Sequence, residues 1–135
     1  MALLALIESG TLERHPRLRV AFLEAGCGFL PYWLWRLDEV EYRGIGGEVE
    51  ASVRRAPSAY FRRQGFIAME PDEPYLPELL PWIGEDNLIF GTDFPHLDHD
   101  AGIVERALAL RDRLSSEAVR KILWDNPARF YGLGS

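Results

Sequence analysis

Three short apolar runs, each ending at an acid, constrain this chain more than any other feature of its sequence. They cover residues 18–24, 65–70 and 88–93, and they end at Glu24, Glu70 and Asp93. Runs of this length, rich in Val, Ile, Leu and Phe and bounded by Gly or Pro, read as buried strands. Between them lie stretches with helical spacing of apolar residues. Strands that alternate with helices pair in parallel, because each helix carries the chain back to the end from which the next strand starts. The sequence therefore predicts an α/β fold in which all three strand ends share one rim. That rim is where parallel α/β folds collect their catalytic groups.

The intervening elements follow from capping and periodicity. Leu3, Leu4 and Ile7 form the stripe of a first helix, and a chain that begins inside such a stripe resembles a helix joined midway. The turn Arg14-His15-Pro16-Arg17 leads to the first strand and places His15 at the opposite rim in a structural role. After Gly26-Cys27-Gly28 a helix is expected, with Pro31 in its first turn and Leu30, Trp33, Leu34 and Leu37 on one face. Residues 43–55, which hold Gly44, Gly46 and Gly47 among charges, read as an exposed loop. Further helices are predicted over 57–63, 75–83 and 103–113, the second kinked or ended early by Pro81. Ser115 is a good N-cap for a helix that turns Val119, Ile122 and Leu123 inward. Asn126-Pro127 restarts a last short helix, closed by Gly132 and Gly134. The four tryptophans read as helix-packing residues, and Arg54-Arg55 and Arg62-Arg63 as solvated faces.

Composition narrows the partners. At 135 residues, 47% hydrophobic and 27% charged, the chain is long and apolar enough for one globular domain. Its formal charge of −6 argues against nucleic acid, which needs a positive surface. A single cysteine, Cys27, excludes an internal disulfide and fits a reducing, cytoplasmic setting. The apolar start lacks a basic leader and meets Glu8 at once, so neither a secretory signal nor a membrane partner is expected.

The chemistry concentrates in Phe90-Gly91-Thr92-Asp93-Phe94-Pro95-His96. Glycine ends the apolar run, one carboxylate is delivered at its end, and proline fixes the loop beyond it. His96, Asp98 and His99 follow closely, so Asp93, His96 and His99 are one candidate metal site. The alternative is that the loop residues are solvated and that Asp98 or Asp100 caps the next helix. Carboxylates gathered on one rim can bind a divalent cation or move protons. The Gly26-Cys27-Gly28 turn can offer backbone N–H groups to an anion, although a strand-to-helix turn favours glycine in any case.

The segments "HPRLRVAFLEAGCGFLPYWLWRLDE" (15–39), "PSAYFRRQGFIAMEPDE" (57–73), "GEDNLIFGTDFPHLDHD" (84–100) and "KILWDNPARFYGL" (121–133) together resemble the amidohydrolase-related metal-dependent hydrolases. The branch is the one that includes aminocarboxymuconate-semialdehyde decarboxylase-like enzymes. The resemblance implies a partial TIM (β/α)8 barrel, with residues 1–135 as the C-terminal half of the domain and the strands as the last three of eight. A complete barrel takes about 250 residues. It implies that Asp93 ligates a divalent metal, zinc in this expectation, and helps activate its water. Glu24 stands where decarboxylase relatives carry a catalytic histidine, and it is the second catalytic candidate. His96 matches a residue common after the family's aspartate; with Glu70 it is assigned to substrate binding. The family's His-x-His pair and its fifth-strand histidine do not occur here. The implied activity is hydrolysis of a small organic acid, amide or ester by metal-activated water. The alternatives are decarboxylation within the same family, or a non-catalytic fragment. The implied partners are a small-molecule substrate and either a second copy of the chain or an N-terminal half.

Overall fold

A computed structural model describes residues 2–42, 53–97 and 100–133. Its centre is a three-stranded sheet of β1 (Val20–Phe22), β2 (Gly65–Ala68) and β3 (Leu88–Ile89), in the order β1-β2-β3 and parallel throughout. The registers pair Val20 with Gly65 and Ile67 with Leu88. The helices are α1 (Ala2–Glu8), α2 (Thr11–Arg14), α3 (Leu30–Arg36), α4 (Pro57–Gln64), α5 (Leu76–Ile83), α6 (Ile103–Ala109), α7 (Ser116–Arg120) and α8 (Asn126–Tyr131).

The period of two along β2 separates two apolar layers. Ile67 points into the main core, with Leu3 and Ile7 of α1, Leu30 and Leu34 of α3, Phe61 of α4, Leu80 and Ile83 of α5, and Ile122. Phe66 and Ala68 point the other way and form a smaller layer with Ile89, Ala21 and Phe130 of α8. Phe130 meets Phe66 edge-on at 5.3 Å, and the Arg129 guanidinium lies over the Phe66 ring at 5.0 Å. All four residues of β2 are buried, as a central parallel strand requires.

Three buried amides tie the strand entries together. Gln64, the residue before β2, donates from Nε2 to the carbonyls of His15 and Leu18 at 2.8 and 3.0 Å, in the segment leading into β1. Asn87, the residue before β3, donates from Nδ2 to Arg62 O at 3.0 Å and Gly65 O at 2.8 Å, at the entry to β2. Asn126 donates from Nδ2 to Glu85 O and Leu88 O, both at 2.7 Å, at the entry to β3. Each strand entry is thus satisfied by a side-chain amide from a later element of the chain. The three side chains are the buried polar residues among those described, and all are paired, as burial demands.

The sequence places each strand correctly but makes each too long. The ladder stops at Phe22, Ala68 and Ile89 rather than at the acids. Glu24 and Asp93 leave the strand track with φ of 59° and 58°, a left-handed geometry in which a ladder does not continue. Hydrogen bonding runs slightly past β2, since Met69 N–H donates to Ile89 O at 3.0 Å. The short helix α2 was not predicted.

Asn126 is helical and buried and does not cap α8. The chain passes from α7 through wide π-helical turns at Lys121–Asp125 directly into α8, so there is no break to cap. Gly132 closes α8 in a left-handed conformation as expected, with Leu133 N–H on Ala128 O at 2.9 Å; Gly134 lies outside the described residues. Ser115 caps α7, its Oγ accepting from Ala118 N–H at 3.0 Å. Helix α5 runs through Pro81 to Ile83, because Pro81 is on an exposed face where the carbonyl that loses its donor can turn to water.

Trp35, Trp82 and Trp124 are exposed rather than packed. Trp35 and Trp82 lie one residue, about 100°, around their helices from the buried Leu34 and Ile83, and Trp124 lies two residues beyond the buried Ile122; only Trp33 shares the inward stripe and is half-buried. Arg63 is not a purely solvated charge: its Nη2 donates to Leu12 O at 2.8 Å and joins α4 to α2. Arg55 lies 3.6 Å from Glu13. The predicted glycine loop falls mostly outside the described residues. No described helix is long and apolar enough to cross a membrane.

Asn126→Ala leaves the part-buried carbonyl of Glu85 and the buried carbonyl of Leu88 without their donor. Each such loss costs about 1–3 kcal/mol, so the variant is expected to unfold about 2–4 kcal/mol more easily, as read from its urea midpoint.

Candidate functional site

The C-terminal ends of the strands open into a cleft of about 740 Å³. Its lining includes Glu24 and Gly26 after β1, Met69 and Glu70 after β2, and Thr92 and Asp93 after β3. All three predicted acids therefore reach one rim. The left-handed turns at Glu24 and Asp93 take the chain off the two outer strands at the cleft. A non-glycine residue in this conformation is costly, by roughly 1–2 kcal/mol, and Asp bears it better than Glu. Glu24 and Asp93 are the two described non-glycine residues with positive φ, and both stand in the cleft.

The turn on its C-terminal side holds Asp93 in place. The Asp93 carbonyl accepts from His96 N–H at 2.9 Å, closing that turn, and its Oδ1 lies 2.9 Å from His96 Nδ1. The Phe94-Pro95 peptide within the turn is cis. The contact assigns the Nδ1 proton to the bond with Asp93 and leaves Nε2 as the outer nitrogen. Ligand atoms of Glu24, Asp93 and His96 all lie within 4.8 Å of one another. Two carboxylates and an imidazole are a donor set suited to a divalent cation. Glu70 lines the cleft but stands outside this trio. Asp98 and His99 lie outside the described residues, so the grouping of Asp93 and His96 with His99 has no description; in the structure the third member is Glu24.

One residue without a signal of its own in the sequence pattern organises the rim. Glu73, in the loop after β2, accepts through Oε1 from the backbone N–H groups of Cys27 and Gly28, both at 2.8 Å. Its Oε2 accepts from Glu70 N–H at 2.9 Å and from the Cys27 thiol at 3.2 Å. The anion expected at the Gly26-Cys27-Gly28 turn is thus a carboxylate of the chain itself. Gly26 must be left-handed here (φ 62°), and a Cβ on it would sit 3.0 Å from Glu73 Oε1. Arg113 donates to the carbonyls of Pro71, Glu73 and Pro74 at 3.0, 2.7 and 3.0 Å. Arg106 of α6 bridges Asp72 and Asp100, and Asp100 also lines the cleft. The one clue to Glu73 in the residues is an acid two positions after a proline, in a chain whose glycine turn asks for an anion.

The Amidohydrolase family model matches residues 2–133. The chain belongs to this family. It is 30% identical over 103 residues to the 6-methylsalicylic acid decarboxylase of Penicillium expansum, covering 74% of this chain and 30% of that protein. It is 30% identical over 118 residues to the gamma-resorcylate decarboxylase of Rhodococcus jostii (strain RHA1), covering 82% and 35%. The chain thus spans about a third of the length of the curated relatives it matches. Among solved structures, an amidohydrolase from Mycobacterium avium subsp. paratuberculosis K-10 superposes with a TM-score of 0.76 at 29% identity, over 95% of this chain and 32% of that one. The 2,6-dihydroxybenzoate decarboxylase from Rhizobium gives 0.77 at 24% identity, over 97% and 40%. The three parallel strands and their helices are part of a TIM barrel, and the rim carrying Glu24, Glu70 and Asp93 is the end where amidohydrolase-family barrels, like others of this architecture, place their active sites.

Two predictions come from this geometry. Burial, and then the Glu73 carboxylate, push the Cys27 thiol far above its ordinary value. The folded state therefore holds the thiol proton more tightly than the unfolded chain. This contribution to stability is complete below the ordinary thiol range, near ~8.5, and declines as the pH rises through it. Wild type is expected to lose more of its urea midpoint between pH 7.5 and 10 than Cys27→Ala does. Second, Glu24→Gly relieves the left-handed strain, by about 1–2 kcal/mol, against roughly 0.4–1 kcal/mol of added chain entropy. The variant is expected to melt slightly higher than wild type in calorimetry.

Proposed function

We propose that residues 1–135 form the C-terminal half of an amidohydrolase-family barrel domain, with β1, β2 and β3 as its last three strands, and that the rim works on a small organic acid, amide or ester with a divalent metal. The observation that carries this reading is the approach of Glu24, Asp93 and His96 to within 4.8 Å at the strand ends. Asp93 and Glu24 hold the cation; zinc and manganese both suit two carboxylates and an imidazole. A solved relative of 24% identity, a dihydroxybenzoic acid decarboxylase from Polaromonas sp. JS666, has bound manganese. Such a metal, when bound, polarises substrate and lowers the pKa of water toward about 7.

The residues of the chain do the rest. Asp93 fixes the imidazole through Nδ1, which leaves His96 Nε2, beside Asp93 at the cleft edge, as a group that accepts or returns a proton. Glu24, carried on its left-handed turn, is the second proton-transferring group. Glu70 and His96 border the substrate, with Glu70 positioned by its backbone N–H on Glu73. The apolar Met69 and Ile103 line the same cleft and exclude water from part of it.

Hydrolysis by metal-activated water is the main reading. A second reading, decarboxylation of an aromatic carboxylic acid, is favoured by one observation: the curated relatives are decarboxylases of 6-methylsalicylic acid and gamma-resorcylate. The two differ in product, a hydrolysed amide or ester against carbon dioxide and a phenol. In either case Asp93→Asn is expected to abolish uptake of Zn²⁺ or Mn²⁺ measured by calorimetry. In a complete enzyme carrying this segment, it is expected to lower turnover by at least about a hundredfold, since the metal contributes several kcal/mol to transition-state stabilisation. Unchanged metal uptake and turnover in Asp93→Asn would refute both readings.

A further inference from the structure

We propose that Glu73 is the positioning residue of this rim, setting where Glu24 stands relative to Asp93 and His96. The inference rests on the reading that Glu24 and Asp93 share one cation. Glu24 makes its left-handed turn two residues before Gly26, which is left-handed as well. Such a turn does not hold itself in place, because the left-handed φ at Glu24 costs energy that a partner must offset. The partner is the Glu73 carboxylate. Successive backbone N–H groups at the end of a turn of this kind form a concave nest for an anion, and Cys27 and Gly28 present theirs to Glu73 Oε1 at 2.8 Å each. The other oxygen holds Glu70 N–H and the Cys27 thiol. One carboxylate therefore accepts four hydrogen bonds and links the loop that carries Glu24 to the loop that carries Glu70. Arg113, which lies beyond α6, fixes the Glu73 segment by three backbone carbonyls. All three strand–helix units meet at this point.

Glu73 itself is absent from the cleft lining and from the converging trio. Its effect on chemistry is through Glu24. Groups that orient a metal ligand from behind typically change metal affinity by about 10–100-fold when removed, and Glu73 belongs to that class.

The test uses the folded chain with Mn²⁺ alone as probe. Glu73→Gln keeps the size and one acceptor oxygen but turns the other position into a donor facing Glu70 N–H and the thiol. Two readouts are taken with the melting temperature: Mn²⁺ affinity by calorimetry, and the three-bond HN–Hα couplings of Glu24 and Ala25 without metal, which report φ. The expected result is a roughly 10–100-fold weaker Mn²⁺ affinity, with Glu24 leaving its left-handed value while the fold is retained. A folded Glu73→Gln variant with wild-type coupling at Glu24 overturns the proposal. If wild type takes up no Mn²⁺, the shared-cation reading fails, and the coupling at Glu24 still decides whether Glu73 positions it. If Glu73→Gln does not fold, Arg113→Ala takes its place. It frees the carbonyls of Pro71, Glu73 and Pro74, and is expected to shift the Glu24 coupling in the same direction by less. An unchanged Glu24 coupling in folded Arg113→Ala then overturns the proposal.

Discussion

A short parallel strand leaves carbonyls at its entry outside the ladder, and the fold depends on how their need for a donor is met. Gln64, Asn87 and Asn126 meet it three times with the same device. Gln64 and Asn87, each just before its own strand, donate to carbonyls at the entry of the preceding strand, and Asn126 of α8 donates to carbonyls at the entry of β3. An amide NH₂ supplies two donors from one atom, which makes it suited to bridging two carbonyls of a turn. The strands are short, with two to four residues each, so ladder bonds alone hold few of their polar groups. The amides supply the remainder at the entry end, and they fix the parallel register on which the opposite rim depends.

At the exit end the problem is reversed. There the chain must leave the sheet sharply enough to turn carboxylates into a common cleft. Glu24 and Asp93 do so in left-handed conformations, and each is tethered: Asp93 through the His96 turn, and the Glu24 loop through the Glu73 carboxylate. One end of the sheet is satisfied by amide donors and the other by carboxylate acceptors. This polarity has a physical sense. Strand starts present carbonyls that need donors, whereas the turns into the next helices present N–H groups that need an acceptor.

The sheet also divides the core into two layers of unequal size. Ile67 and its neighbours form the larger one under the helices, and on the other face Phe66, Ala68 and Ile89 are buried in a smaller one with Ala21 and Phe130. Phe130 and Arg129 close that face near the strand entries, where Phe66 lies. A complete TIM barrel has eight parallel strands, and this chain covers 32% and 40% of the two solved structures it superposes on.

Much of this was legible in the residues. The three apolar runs, their alternation with helices, the Ser115 cap and the gathering of Glu24, Glu70 and Asp93 on one rim follow from periodicity and handed chain return, which are local properties. The strand ends read too long because φ at Glu24 and Asp93 is not encoded by those residue types; a glycine would have announced the turn. Asn126 reads as a cap because Asn before Pro is a common helix start, yet it faces a carbonyl 38 positions earlier in the chain. Glu73 is silent for the same reason: its partners Cys27 and Gly28 lie 46 and 45 positions away. The strand–helix alternation, the parallel order and the acids at the rim are written in neighbours along the chain, and periodicity reads them. Which acid faces the cleft, which supports it from behind and which amides hold the strand entries came from the folded molecule alone, because a hydrogen bond selects its partner by distance and angle in space.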